Sequence, residues 1–163
     1  MRSLNPAALL AIAWLALAAC SSQGGSSSPS SASPTPRPGG AKQNLVFTGP
    51  AAGTVIEATT QCQVFTPQNQ LNFALTGKLA GQDLMLNIHV AGGYKGPGTY
   101  PIGSLLDGAG EVRLQAGSYA GASSSGAGTL IIDSDGKSGS LDSDLSGGEH
   151  VKGTFRCDQV QTG

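Results

Sequence analysis

From Asn44 to the end of the chain, apolar and polar positions alternate with a period of two, and the runs are separated by glycine-rich turns. Leu71, Phe73 and Leu75 fall on one face of a run. Leu84, Leu86, Ile88 and Val90 do the same after Gly81, so these two segments read as a hairpin. The long run from Thr54 to Phe65 places Cys62 and Val64 on one face, with Thr60 and Ile56 at the same parity, until Pro67 and Asn69 break it. Val112 and Leu114 mark a further strand. Leu130 with Ile132, then Leu141 with Leu145, flank Ser134-Asp135-Gly136-Lys137, a compact hairpin turn in which Gly136 takes positive φ. Val151, Phe155 and Cys157 share a face of the final strand. No helix of useful length is visible. The pattern predicts an all-β, antiparallel β-sandwich or flattened barrel of about seven strands. Asn87, His89, Asp142, Asp144 and Lys152 fall on its outer skin.

The first 42 residues carry none of this alternation. Arg2 precedes an apolar stretch from Ala7 to Ala19 that ends in Leu17-Ala18-Ala19-Cys20. A positive start, a short apolar centre and small residues before a cleavage point make a secretory leader. A membrane span needs roughly 20 apolar residues, and polar serines begin at Ser21. Residues 1–19 are therefore expected to be removed. Residues 20–42, rich in Ser, Pro and Gly, cannot bury enough surface to order themselves and read as a tether. A coil of that kind would hold residues 43–163, the β domain, on the order of 25 Å from its anchor.

Composition narrows the function classes. Of nine basic residues Arg2 lies in the leader, which leaves eight against ten acidic ones. Such balance argues against a nucleic-acid partner, which needs a concentrated basic face. With Cys20 set aside, Cys62 and Cys157 form an even pair, and a disulfide between them is expected in an oxidising compartment.

Candidate chemistry is sparse. Asp133, Asp135, Asp142 and Asp144 are the calcium candidates, because calcium gathers several carboxylate oxygens. Against that, Lys137 occupies a position that should supply oxygen and no bidentate glutamate follows; the plainer reading is a solvated hairpin without metal. His89 and His150 are the only histidines available as a base, and no Gly-x-Ser-x-Gly elbow accompanies them. Enzymatic activity is therefore not expected, and a small hydrolase using His89 or His150 is the outside alternative. No cofactor is expected. Tyr94 and Tyr100 bracket the turn around Gly96-Pro97-Gly98 and are candidates either for ligand contact or for closing one end of the fold. Small residues such as Ala74, Ala91 and Gly77 would, if inward, open a cavity for a lipid carrier.

The lipobox pattern Leu17-Ala18-Ala19-Cys20, the Ser/Pro-rich tether, Thr60-Gln61-Cys62, the Tyr94 to Tyr100 segment, Gly128-Thr129-Leu130 and the closing Gly153-Thr154-Phe155-Arg156-Cys157 together resemble small actinobacterial-type envelope lipoproteins. They are similar, more loosely, to the mycobacterial 19 kDa lipoprotein antigen group. The resemblance implies a lipid on Cys20, a disulfide-closed β domain and a place in the bacterial cell envelope. The anchor would sit on the outer face of the cytoplasmic membrane or on the outer membrane. The expected function is binding or structural display, with the membrane as partner through Cys20 and cell-wall glycan, lipid or an envelope protein as ligand.

Overall fold

The computed structural model describes residues 42–103, 110–124 and 126–163. Leader, Cys20 and nearly all of the tether lie outside them. The strands are β1 (Lys42–Thr48), β2 (Gly53–Phe65), β3 (Gln70–Leu79), β4 (Gln82–Val90), β5 (Gly98–Ile102) and β6 (Gly110–Ala116). They continue with β7 (Tyr119–Ala122), β8 (Gly128–Ile132), β9 (Ser138–Leu145), β10 (Glu149–Arg156) and β11 (Gln159–Thr162).

The all-β class, the disulfide and the barrel alternative hold; the sandwich alternative and the count of about seven strands do not. The hydrogen-bonded order β1-β10-β9-β8-β5-β6-β4-β3-β2 returns to β1, so nine strands close into a barrel, with β7 and β11 outside the circuit. Closure removes the open edges that a sandwich leaves exposed. The hairpin of β3 and β4 forms as the alternation requires, joined by Ala80 and Gly81, whose positive φ values of 49° and 82° suit a two-residue primed turn. Gly136 also has positive φ.

Inward positions form one core. Leu45, Phe47, Leu75, Leu86, Ile88, Leu130 and Leu141 are among its fully buried side chains. Ile56 departs from the expected parity: it is 58% exposed, and Val55 takes the inward position instead. The pairing of β1 with β2 shifts register between Lys42 and Leu45, opposite this stretch. An extra residue in one strand reverses which side chains face the core. Ala74 also alternates outward, between buried Phe73 and Leu75, and Gly77 is paired directly with Ala58.

Two seams need more than a strand ladder. At the first, β1 lies between β10 and β2, and β11 carries the chain of β10 onward, parallel to β2, past the point where β1 begins. Gln43, 2% exposed, donates Nε2–H to the Arg156 carbonyl and accepts the Arg156 N–H on Oε1. Thr60 Oγ1 donates to the same carbonyl and accepts from the Asp158 N–H, while Asp158 Oδ2 accepts the Thr60 N–H. The Cys62–Cys157 disulfide crosses this junction and closes a loop of sequence separation 95. In the chain-entropy picture that contributes about 4 to 5 kcal/mol.

At the second seam, β5 meets β6 only at Ile102 and Gly110. Buried Ser123 joins them: its N–H donates to the Val112 carbonyl, its Oγ accepts the Val112 N–H, and the hydroxyl donates to the Gly103 carbonyl. β7 covers the rest of the β6 edge and reaches the turn at Ser146, where Tyr119 donates its hydroxyl to the Ser146 carbonyl.

Candidate functional site

Tyr94 and Tyr100 do not project to solvent. They are 7% and 8% exposed, and their rings stack with centroids 5.5 Å apart. The Tyr100 hydroxyl accepts the Lys95 N–H at 3.0 Å and donates to the Gly96 carbonyl, and the Tyr94 N–H donates to the Asn69 carbonyl. The loop folds back on its own second ring, and the pair closes the barrel end beside the disulfide. Burial, and secondarily the neighbouring Tyr100, raise the Tyr94 pKa above 10.0. In this position the rings close one end of the fold, the second of the two roles considered for them.

The four aspartates of the calcium expectation do not converge. Asp133 and Asp135 occupy the β8–β9 turn, where Asp135 Oδ1 accepts the N–H groups of Lys137 and Ser138 and Asp133 accepts the Ser138 hydroxyl. The Lys137 N–H, first among the causes, lowers the Asp135 pKa. Asp142 and Asp144 stand on the outer face of β9 beside β10. Among the described residues, no group of three or more His, Cys, Asp or Glu side chains is placed to hold a metal ion.

Asp142 and Asp144 instead hold His150. Asp144 Oδ1 lies 2.8 Å from His150 Nδ1, Asp142 Oδ1 lies 3.4 Å from Nε2, and Lys152 Nζ sits 2.7 Å from Asp142 Oδ2. The hydrogen bond from Lys152, ahead of the charges of Lys152 and His150, lowers the Asp142 pKa. Both nitrogens of His150 thus face carboxylates, and among the described residues no serine hydroxyl bonds either histidine. His89 sits on the outer side of β4 between Asn72 and Glu111, and its Nε2 is buried with no hydrogen-bond partner.

Beside this charged row runs an open groove of about 690 Å³ on the outer face of β8, β9 and β10. Thr129, Ser140, Asp142, Asp144, Lys152 and Thr154 line it with polar groups, and Ile131, 40% exposed, lines it with Ala127 and Leu141 as apolar ones. Gly128 and Gly153 line it as bare backbone. At Gly153, with φ 143°, a Cβ would stand 1.8 Å from the Asn44 carbonyl oxygen, so the strands approach there as no side chain allows. Inside the barrel the space beneath the disulfide is about 10 Å³, on the order of one water.

Comparison with protein-family models, with curated proteins and with solved structures returns no match. The site therefore rests on its own geometry. Sequence reading missed the groove, because its residues come from separate strands, and it missed Glu149. Its parity with Val151 puts that residue on the inward face of β10.

Proposed function

We propose that this chain is a lipid-anchored envelope protein that works by binding through the outer surface of its barrel. Residues 1–19 are removed, Cys20 carries the lipid, and residues 20–42 tether the barrel. Leu17-Ala18-Ala19-Cys20 followed directly by a Ser/Pro/Gly stretch supports the anchor, and the Cys62–Cys157 disulfide suits an oxidising compartment.

The observation that carries the mode of action is the filled interior. A carrier needs a cavity the size of an acyl chain, and the space beneath the disulfide has room for about one water. A hydrolase built on His150 needs a nucleophile at the ring, where two carboxylates stand instead. The groove over β8 to β10 presents hydroxyl, carboxylate and ammonium groups at one surface, which favours a polyhydroxylic ligand such as wall glycan. Fatty-acid labelling in the host tests the anchor: the native chain takes up label and sediments with membranes, and Cys20→Ala does neither. Retention of the full chain on purified wall glycan tests the groove. Asp142→Ala with Lys152→Ala should abolish it, and unchanged retention would place the contact elsewhere.

A further inference from the structure

At the barrel end opposite the disulfide, the turns 49–52, 80–81 and 117–118 surround a depression of about 420 Å³. Its walls are mostly small and apolar: Pro50, Ala51, Ala52, Leu79 and Ala116, with the Tyr119 ring at one side. Directly behind Ala51 lies Glu149, 1% exposed on the inner face of β10. Glu149 Oε2 accepts the Ala51 N–H at 2.7 Å, whereas Oε1 is buried with no partner. Tyr119 feels the same group: burial, and secondarily the Glu149 charge, raise its pKa above 10.0.

A buried carboxyl oxygen without a partner is costly in a fold that satisfies its other seams so fully. The Ala51 N–H accounts for Oε2 but not for Oε1, and across the ladder the residue faces Leu145, which offers no donor side chain. The depression is of a size that holds a small organic molecule, and only the short turn carrying Ala51, between Gly49 and Gly53, separates it from the carboxyl. The chemistry missing at Oε1 is a hydrogen-bond donor. The walls ask for a compact apolar body, and an ammonium donor adds charge to the hydrogen bond.

We propose that this barrel end binds a primary ammonium carried on a compact apolar group, with the turn 49–52 moving aside so that the nitrogen reaches Glu149 Oε1 and the apolar body rests against Tyr119. This site is separate from the groove over β8 to β10 and does not depend on it.

Calorimetric titration of 2-phenylethylammonium into the full chain tests the proposal, with 2-phenylethanol and 3-phenylpropionate as neutral and anionic probes of the same body. The ammonium should bind, the alcohol about tenfold more weakly, in line with a hydrogen bond to a charged group, and the anion not at all. Glu149→Gln should lose about the same factor. Ala52→Trp, an exposed wall position, should block binding with Glu149 intact, which keeps the test valid if the Glu149 variant fails to fold. Equal binding of all three probes, no binding by the native chain, or ammonium binding unaffected by Ala52→Trp would overturn it, leaving Oε1 as the site of a trapped water.

Discussion

Single residues in this barrel matter most where backbone meets backbone. Gly153 shows the effect in its sharpest form, because the atom in the way is a carbonyl of the adjacent strand and cannot rotate aside. Gly153→Ala should therefore lower stability by about 3 kcal/mol, as strain at a forced backbone conformation does. Gly81→Ala, in a turn with open space around it, should cost about 1 kcal/mol from positive φ alone. Denaturant midpoints of the two variants compare them directly. Charge acts at the same scale. Asp135 and Asp142 have folded pKa values below the usual 3.8, so the stability they lend is present above that value and is lost as pH falls through their folded values. Both are solvent-facing, so the effect is small and screened by salt. Removing Lys152, the first cause of the Asp142 shift, should flatten the acid limb of a melting-temperature profile; an unchanged limb in Lys152→Met would contradict the assignment.

Among elements, legibility followed how strictly side chains alternate. The β3–β4 hairpin could be read because Leu71, Phe73 and Leu75 face Val90, Ile88 and Leu86 across a two-residue turn, so periodicity and turn chemistry agree. β11 could not. Gln159-Val-Gln-Thr162 has one apolar residue, and its strand state comes from pairing with distant β2. β7, Tyr119-Ala-Gly-Ala122, is equally silent, since it is held by the β6 edge and by Ser146. Ile56 was misread because a register shift is invisible to a strict period of two. Of the site, the charged positions on β9 and β10 could be placed outward, but their assembly around His150 depends on which strands become neighbours. The weakest element boundary is β5 against β6, where Ser123 substitutes for a ladder. Ser123→Ala orphans the Val112 N–H and the Gly103 carbonyl, and should cost about 2 kcal/mol. Hydrogen exchange checks it: the Val112 amide should lose protection while Leu86 and Ile88 keep theirs. Uniform loss across the sheet would mean that Ser123 supports the whole fold rather than this junction.

Taken as a whole molecule, the barrel is a closed, filled body whose first and last strands meet at one seam. The chain enters at β1 between β10 and β2, and the disulfide ties β2 to the end of β10 beside that entry. The proposed anchoring would act through the residues that precede β1, and the proposed contacts lie on the outer surface and at the end away from the disulfide. The account depends on the chain being cut before Cys20, acylated there and oxidised at Cys62 and Cys157. The intact mass of the protein extracted from membranes of its native host tests all of this together. The expected mass is that of residues 20–163 plus diacylglyceryl, with or without a further acyl chain, less the two hydrogens of one disulfide. A mass equal to the unprocessed chain from Met1, carrying three free thiols, would contradict it.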